Sequence, residues 1–337
     1  MKAQHPGVMT RRERLAAALR GDPADRTPIS LWRHFPEHDA RAESLVQATA
    51  AFQRALGLDF IKMMPTGMYS VVDYGVVVRP AEDHSGTTRY VSGPISTPAH
   101  WARLKPAPPD RGTLGEQVRA VSLLRAALSP EVPFVQTLFS PLTMAAKVVG
   151  LNLDRLLGGG EEALLPSLER MAHDVIAFGR ACLAAGVDGF FFATQFAGRD
   201  ALPPGVYERL GVPFDRMVLE ALRPGSWLLL LHLHGEHPLF DLAEALPVDV
   251  VNWHDRDTPP SLAEALGRTT RCLAGGISRG GVIAQGSPEE VAAHVREAVA
   301  QTEGLRLIVA PGCVIPTTAP MANLKAARQA VEEMARL

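Results

Sequence analysis

The sequence predicts an α/β fold: a single (β/α)8 TIM barrel that spans residues 1–337 as one domain. Eight short apolar runs alternate with longer helical patterns, as in parallel strands joined by crossover helices. The chain has 337 residues, and one barrel of roughly 250 residues with insertions accommodates them. The hydrophobic fraction of 47% is typical of a globular chain with a large interior.

The first helix is predicted at residues 14–20, because Thr10 and Glu13 form a capping box ahead of it and Gly21 follows it. Strands are predicted where short apolar runs are bounded by turn residues. They cover residues 29–32, 58–64, 132–138, 187–193, 227–233, 248–253, 271–275 and 305–310. Longer helical patterns lie between them, at residues 40–56, 114–128, 166–185, 207–222, 262–266, 288–302 and 320–337.

Residues 69–97 interrupt this alternation. Two strand-like stretches, 74–79 and 87–91, flank the turn E-D-H-S-G at 82–86, which is the pattern of a β-hairpin. The hairpin is predicted as an insertion, about residues 65–110, after the second strand. Because the loops at the carboxyl ends of barrel strands surround the active site, the insertion is expected to cover the catalytic face as a lid.

Charge and composition exclude several classes of partner. The net charge is −2 and the basic residues are scattered, so we expect no binding of nucleic acid. Residues 1–10 lack the apolar stretch of a signal peptide, and no run of about 18 apolar residues occurs. We therefore expect a cytoplasmic protein without membrane contact. The three cysteines, Cys182, Cys272 and Cys313, do not form a disulfide framework.

Two histidines end the most apolar predicted strand. Residues 226–235 read S-W-L-L-L-L-H-L-H-G, and His232 and His234 project to one side because alternate residues of a strand point the same way. Cys313 follows the last predicted strand. The three side chains would meet at the barrel mouth as ligands of a catalytic zinc with its fourth position open. The alternatives are histidines that bond to loops and a cysteine that packs as a small apolar residue.

A second polar cluster, residues 252–257, lies at the end of the strand predicted at 248–253. His254 and Asp255 would serve as general acid or base, or Asp255 would orient a ligating imidazole. The alternative is a solvated loop ahead of the next helix. Glu236 and His237, just past the histidine pair, would complete a metal shell or lie on the surface.

Trp32 and Arg33 stand at the end of the first predicted strand. A guanidinium at the barrel mouth suits a substrate carboxylate, because its planar fork matches that group. Both residues are therefore candidates for substrate binding, and a solvated arginine is the alternative. Cys182 and Cys272 lie inside predicted elements and are expected to be packing residues.

Five motifs carry a family resemblance that extends over nearly the whole chain. They are A-L-R-G-D-P-A-D-R-T-P at 18–28, S-P-L-T-M-A-A at 140–146, Y-E-R-L-G-V-P-F at 207–214, G-S-P-E-E-V at 286–291 and A-P-G-C-V-I-P-T-T-A-P-M-A-N-L-K at 310–325. With these motifs the chain resembles the uroporphyrinogen decarboxylase superfamily. That superfamily also contains zinc-dependent methyltransferases, which move methyl groups between corrinoid proteins and thiols.

The resemblance implies the same barrel and favours the methyltransferase branch. Most positions that hold a tetrapyrrole in the decarboxylases are replaced here, in rough alignment by Pro65, Lys147, Gln195 and Cys313. Of the decarboxylase motif R-Q-A-G-R-Y only Arg33 remains. Gln195 is a further candidate for substrate binding.

The resemblance also implies a zinc site. The methyltransferases hold zinc with the motifs H-x-C and G-C-G, which match His232, His234 and Cys313 here, so one thiolate has become an imidazole. With a single thiolate the site would carry a charge near +1. Such a zinc would be a stronger Lewis acid, able to activate a thiol, a hydroxyl or water.

Three functions follow as hypotheses. The leading one is zinc-dependent methyl transfer with a small-molecule substrate, a corrinoid as methyl carrier and a corrinoid protein as partner. The second is a metal-free decarboxylase of uroporphyrinogen or a related carboxylated compound. The third is a barrel that binds a tetrapyrrole or corrinoid without catalysis. The family also suggests a homodimer.

Overall fold

The computed structural model describes residues 7–80 and 82–335 of the chain. Its centre is one curled parallel sheet, whose strands are β1 (Ile61–Lys62), β4 (Phe134–Phe139), β5 (Gly189–Thr194), β6 (Leu228–Leu233), β7 (Val250–Trp253), β8 (Cys272–Ile277) and β9 (Leu307–Pro311). Each pairs in parallel with the next in that order. Two further strands, β2 (Val77–Pro80) and β3 (Thr88–Ser92), form a separate antiparallel pair.

Helices precede, join and follow these strands. They are α1 (Arg11–Arg20), α2 (Ala42–Leu56), α3 (Tyr69–Val72), α4 (Gly112–Ala127), α5 (Pro141–Val148), α6 (Leu153–Leu157), α7 (Glu161–Ala184), α8 (Val206–Leu210), α9 (Val212–Leu222), α10 (Leu242–Ala245), α11 (Leu262–Leu266), α12 (Val282–Gln285), α13 (Pro288–Thr302) and α14 (Met321–Met334). Short 3-10 helices occur at Pro98–Arg103 and Arg223–Gly225. Within the described residues, no helix combines the length and apolarity that crossing a membrane requires.

The sheet forms where the sequence is apolar without alternation. Every residue of β4, β5 and β6 is buried, as is usual for parallel strands that are covered on both faces. One cluster of buried apolar side chains extends from Leu15 to Val331. The α/β class and the parallel sheet predicted from the sequence are confirmed, and most strand bounds differ from the predicted ones by a few residues.

The segment 28–33 links the two edges of the sheet. On one side, the backbone N–H of Ser30 donates to the carbonyl of Val309 (3.0 Å); on the other, the N–H of Asp59 donates to the carbonyl of Ile29 (2.9 Å). The strand predicted at 29–32 is therefore an extended segment with one bridge, Ile29 to Val309, because too few backbone bonds form for a continuous ladder. The curled sheet thus consists of seven assigned strands and this linking segment.

The turn between β2 and β3 is attached to the rest of the fold. Thr317 donates to the carbonyl of His84 through its backbone N–H (2.9 Å) and through its hydroxyl (3.1 Å). The N–H of Gly67 donates to the hydroxyl of Thr87 (2.9 Å). Since Thr317 follows β9, these bonds hold the antiparallel pair at the end of the sheet where the parallel strands terminate.

Several helices differ from the predicted ones, for reasons of backbone chemistry. The helix predicted at 207–222 is two helices, α8 and α9, because Pro213 lacks an N–H and stands in the first turn of a new helix. Helix α7 begins at Glu161, ahead of the predicted start at Pro166, which the helix accommodates in its interior. The last two residues of the helix predicted at 320–337 lie outside the described residues.

A buried ion network holds the opposite end of the barrel. The fully buried carboxylate of Asp59 accepts hydrogen bonds from Arg14 (2.7 Å), from Arg26 (2.7 and 2.9 Å) and from the backbone N–H of Ile29 (2.8 Å). Arg14 also pairs with Asp25 (2.6 Å). These contacts join α1 and the linking segment to the residues just before β1, so they fix how the sheet closes.

Replacing Asp59 with alanine is expected to lower the free energy of unfolding by about 3–5 kcal/mol, because two guanidinium groups would stay buried without their shared counter-charge. Chemical denaturation measures the change. Asp22→Ala is the matched control, since it removes an exposed pair with Arg20 and should cost less than about 1 kcal/mol. Equal effects of the two substitutions would contradict the role given to Asp59.

Candidate metal centre

Four ligand-type side chains meet where the parallel strands end. His232 lies in β6 and His234 comes just after that strand, His254 follows β7, and Cys313 follows β9. Parallel strands bring their carboxyl ends to one rim of a barrel, which is where barrel enzymes place their active sites. The sequence predicted this convergence for His232, His234 and Cys313, and the structure adds His254.

The separations within this group suit one metal ion. One ligand atom from each residue lies within 4.8 Å of the other three. The sulfur of Cys313 is 3.7 Å from Nε2 of His232 and 3.5 Å from Nδ1 of His234. In a tetrahedral zinc site, bond lengths of about 2.0–2.3 Å put neighbouring ligand atoms roughly 3.3–3.6 Å apart. The two sulfur–nitrogen distances lie within or just above that range.

Asn252 fixes the orientation of the His232 ring. Its amide nitrogen donates to the carbonyls of Ala274 (2.8 Å) and Pro311 (3.1 Å), so its amide oxygen must face His232. That oxygen lies 2.6 Å from Nδ1 of His232 and accepts the proton there. The lone pair of Nε2 is therefore left to face Cys313, which is the tautomer that a metal-binding histidine requires.

The side chain of His254 gives a further observation on whether these residues suit a metal ion. Its side chain is buried and its Nε2 atom has no hydrogen-bond partner among the described residues, although buried ring nitrogens normally have one. A cation at the centre of the four residues would satisfy lone pairs that otherwise face one another. Three imidazoles and one thiolate are ligands of the kind that zinc binds, so the donor set suits that ion.

A glycine allows the approach of Cys313. A Cβ atom at Gly312 would lie 3.0 Å from the carbonyl oxygen of Trp253 and 3.0 Å from Cα of His254. Both neighbours are backbone atoms, which cannot give way as the end of a flexible side chain can. The P-G-C sequence at the end of β9 therefore brings the thiol next to the end of β7.

The three cysteines differ in acidity. Burial acts to raise the pKa of the Cys313 thiol, but the imidazoles of His232, His234 and His254 outweigh it and hold that pKa well below its ordinary value. The free lone pair of His232 Nε2 can take the thiol proton, and the resulting imidazolium then donates to the thiolate. Burial raises the pKa of Cys182 and of Cys272. Cys313 is therefore suited to act as a thiolate, whereas the other two are buried thiols in the core.

A cavity of 980 Å³ opens onto three of the four ligand-type residues, His232, His234 and Cys313. Its wall also includes two predicted substrate-binding residues, Trp32 and Gln195. Residues of the β2–β3 turn and of β3 line another part of it. The cavity therefore lies between the strand ends and the antiparallel pair.

A comparison with known protein families shows to which family this chain is related. The family model described as "Uroporphyrinogen decarboxylase (URO-D)" matches residues 10–334. The chain belongs to this family. The match covers nearly the full length, which confirms the resemblance carried by the sequence motifs.

The curated relatives of this URO-D family member are methyltransferases. The chain is 22% identical over 334 residues to the methylcobamide:CoM methyltransferase MtbA of Methanosarcina mazei, with 94% of this chain and 96% of that protein covered. It is 23% identical over 352 residues to the methylcobamide:CoM methyltransferase MtaA of Methanosarcina barkeri, with 96% and 98% covered. The chain is therefore an enzyme.

Solved structures support the fold. A methyltransferase from Methanosarcina mazei superposes with a TM-score of 0.83 at 20% identity, covering 97% of this chain and 99% of that one. A B12-independent methionine synthase from Shewanella sp. W3-18-1 superposes with a TM-score of 0.60 at 15% identity, covering 93% and 100%. At these identities the likeness concerns the fold alone.

Arg33 of this URO-D family member does not reach the cavity. It lies between Trp32 and His34, which both line the cavity. Its guanidinium instead stacks on Phe35 and Phe52, at 5.9 and 5.5 Å from the ring centres. Alternate residues of an extended segment face opposite sides, so a side chain directly between two cavity residues points away.

Asp255 also lies behind the cavity wall. Its carboxylate accepts from the backbone N–H of Gly276 (2.9 Å), and burial raises its pKa to about 7. His237 pairs with Asp200 on the surface. Neither Asp255 nor His237 lines the cavity.

The sequence did not assign a role to three polar residues that the structure places near the site. Asn252 had a signal in the sequence, because it is a polar residue inside the apolar strand predicted at 248–253; its pairing with His232 on the neighbouring strand appears only in the structure. Lys62 and Lys147 line the cavity and are buried. The sequence signal for Lys62 was a lysine within the apolar run L-D-F-I-K-M-M at 58–64. Lys147 had no such signal, and only the packing of the fold shows that it lines the cavity.

In the metal-free protein, Cys313 is expected to react with iodoacetamide faster than Cys182 and Cys272. Because its pKa lies below that of an ordinary thiol, alkylation should persist as the pH falls below about 8 and decline only when the thiolate itself is protonated. Mass spectrometry of pulse-alkylated protein measures this, and added zinc should protect Cys313. Equal labelling of all three cysteines in folded protein would argue against the thiolate.

Substitution of Asn252 by leucine is expected to weaken zinc binding by about 10–100-fold, because His232 would lose the acceptor that fixes its tautomer. Competition with a chromophoric chelator measures the affinity. Thr270→Val is the control for loss of a side-chain bond, since Thr270 bonds to Glu244 at the surface. Unchanged affinity in folded Asn252→Leu protein would show that the ring needs no such orientation.

Proposed function

We propose that this protein is a zinc-dependent methyltransferase that moves a methyl group from a corrinoid to a thiol. The convergence of His232, His234, His254 and Cys313 at the rim of the barrel is the observation that carries the proposal. The names of the curated relatives, methylcobamide:CoM methyltransferases, support this class of donor and acceptor. The whole chain would form one catalytic domain, with a corrinoid protein as partner.

Zinc would be held by His232, His234 and Cys313, the three ligand residues that line the cavity. When bound there, zinc lowers the pKa of a thiol so that the acceptor is a thiolate at neutral pH. With one thiolate ligand, a zinc ion held there would give the site a charge near +1, which an anionic sulfur would balance. The charge of the ligand set therefore favours an anionic acceptor atom.

His254 would have a different role from the other three. It belongs to the ligand group but does not line the cavity. We propose that it completes the ligand set when no acceptor is present, because a catalytic site needs one position that the substrate can take. Its imidazole would also be the base for the proton of the acceptor thiol. Asp255 has no part in this step, since its carboxylate is bonded to Gly276.

The cavity would serve to exclude water from the reacting sulfur. The rings of Trp32 and Phe191 pack edge to face at 5.4 Å, and Phe191 packs on His232 at 5.2 Å. This apolar wall would hold the organic part of the acceptor, and Gln195 would offer it an amide. The β2–β3 pair would act as the inserted lid expected from the sequence.

The decarboxylase alternative loses its principal support. It depended on Arg33 as the group that binds a substrate carboxylate, and that guanidinium stacks on Phe35 and Phe52 instead of lining the cavity. We therefore propose no second function.

Purified protein is expected to contain about one zinc per chain, and His234→Ala should lose it during dialysis against a chelator, because one of the four ligand-type residues is removed and no side chain replaces it. His234→Cys should keep the metal, since it restores the H-x-C arrangement of the related methyltransferases. His237→Ala is the matched control, because that imidazole pairs with Asp200 at the surface. Elemental analysis measures the content.

Methyl transfer is then followed with methylcobalamin and a panel of thiols, by the change in the visible spectrum of the corrinoid. Wild-type and His237→Ala proteins should demethylate it, and His234→Ala should not. Zinc-loaded protein that leaves methylcobalamin intact with every thiol, or zinc-free protein that remains active, would overturn the proposal.

A further inference from the structure

Two of the five sequence motifs contain no residue of the metal centre or of the cavity wall. They are S-P-L-T-M-A-A at 140–146 and Y-E-R-L-G-V-P-F at 207–214. The structure brings both motifs to the end of β5, at Thr194. Because β5 pairs with β6, and β6 carries His232, the two motifs lie next to the strand that supplies the histidine pair.

Thr194 is bonded to the backbone of both histidines of that pair. Its hydroxyl donates to the carbonyl of His232 (3.1 Å), and its own carbonyl accepts from the backbone N–H of His234 (3.0 Å). The pairing of β5 with β6 ends at this residue. The two bonds therefore set the position of the backbone from which both imidazoles extend.

The side chain of Thr194 lies outside the cavity. Its neighbours in the chain, Ala193 and Gln195, both line the cavity, whereas Thr194 does not. Alternate residues of a strand face opposite sides of the sheet, so the Thr194 hydroxyl is on the side that the helices cover. It is fully buried there. Thr194 can therefore act on the metal centre only through the histidine backbone.

On the helix side, Thr194 meets the phenol of Tyr207. Tyr207 lies in α8, and its hydroxyl donates to the carboxyl group of Asp215 in α9. The hydroxyls of Thr194 and Ser140 act to lower the pKa of this phenol, but burial outweighs them and raises it. The phenol therefore stays protonated. It joins the end of β5 to two helices.

A glycine of the second motif allows the Tyr207 ring to take this position. A Cβ atom at Gly211 would lie 2.7 Å from two atoms of the ring. Gly211 immediately precedes α9, so the ring lies across the start of the helix that carries Asp215. Both the tyrosine and the glycine of the motif thus serve one contact.

The first motif holds the residues on either side of Thr194. The backbone N–H of Ser140 donates to the carbonyl of Ala193 (3.0 Å). The hydroxyl of Thr143 accepts from the backbone N–H of Gln195 (2.9 Å). The end of β5 is therefore fixed by α5 and by α8, in addition to its pairing with β6.

This polar arrangement is costly unless the direction of its bonds matters. Thr194, Tyr207 and Asp215 are all buried, and burial raises the pKa of Asp215 to about 7. Apolar side chains would fill the same space without the cost of removing polar groups from water. Hydrogen bonds, however, fix direction as well as distance. The chain of hydroxyls therefore indicates that the exact position of this strand end matters.

We propose that Thr194 and Tyr207, supported by Asp215, are positioning residues for the metal centre. They would hold the backbone of His232 and His234 where the two imidazoles and Cys313 can bind one zinc ion. The inference rests on the proposed function, since it assigns the two motifs to the metal site of that function. A site of this kind tolerates displacements of only about 0.5 Å, which a loosened strand end would exceed.

The first experiment measures metal binding without catalysis. Metal-free protein is titrated with zinc against a chromophoric chelator, and with cobalt(II), whose visible absorption bands report the geometry of its ligands. Thr194→Val keeps the shape of the side chain and removes the hydroxyl, so it should weaken zinc binding by about 10-fold or more and alter the cobalt bands. Tyr207→Phe should change both in the same direction. Thr194→Ser keeps the hydroxyl and should match the wild type.

Thr302→Val is the matched control. Thr302 is also buried, and its hydroxyl also donates to a backbone carbonyl, that of Ala298 (3.2 Å), but it lies in α13 and does not line the cavity. This variant should leave zinc affinity and the cobalt bands unchanged. Thermal denaturation of the metal-free proteins compares the loss of stability in the two valine variants.

Two results would overturn the proposal. One is folded Thr194→Val protein with the zinc affinity and cobalt spectrum of the wild type. The other is an equal loss of affinity in Thr194→Val and Thr302→Val, because general loss of stability would then explain the effect. If Thr194→Val does not fold, Tyr207→Phe, which keeps the aromatic ring, decides by the same criteria.

The second experiment separates the inference from the proposed function. Methyl transfer from methylcobalamin to a thiol is measured at saturating zinc. Thr194→Val should lower kcat by about 10-fold or more and change KM little, because the reacting sulfur would be misplaced, and Thr194→Ser should restore kcat. Altered metal binding in Thr194→Val without any methyl transfer by the wild type would refute the function and leave the positioning role. Full kcat and full zinc affinity in Thr194→Val would refute that role and leave the function.

Discussion

The parallel direction of the strands is the constraint on which the site depends. Seven strands run the same way around one sheet, so residues far apart in the chain reach one rim wherever a strand ends. Cys313 and His232 are 81 positions apart and their side chains lie 3.7 Å from each other. No local contact could produce that proximity. The hydrogen-bond register sets it, since β6 pairs with β7, β7 with β8 and β8 with β9.

Buried charged and polar groups are paired at one end of the barrel and lack partners at the other. At one end, the Asp59 carboxylate accepts four hydrogen bonds, three of them from arginines. At the other, within the described part of the chain, a ring nitrogen of His254 lacks a partner and Lys62 and Lys147 lack a carboxylate. Such groups cost stability in a resting protein.

The sequence by itself determined the elements and part of the site. Apolar runs without alternation predict parallel strands, because their burial on both faces leaves a direct mark in the sequence, and the i, i+2 spacing of His232 and His234 follows from strand geometry alone. Two features were harder to predict from the sequence. The extended segment 28–33 depends on a few backbone hydrogen bonds, and the division between α8 and α9 depends on one proline, Pro213. The likeness to a family then linked Cys313 to the histidines.

Only the tertiary structure decided which side chains face the cavity. Arg33 and Asp255 had suitable chemistry and suitable positions at strand ends. The alternation of side chains along the extended segment turns Arg33 toward the rings of Phe35 and Phe52. A hydrogen bond from Gly276 holds the carboxylate of Asp255 behind the cavity wall. The structure adds four residues to the site: His254, Asn252, Lys62 and Lys147. The strands β1 and β7 and the helix α5 bring them close to His232 and Cys313. The identity of a residue fixes what it can do, whereas packing fixes what it can reach, and the second cannot be read from the local sequence.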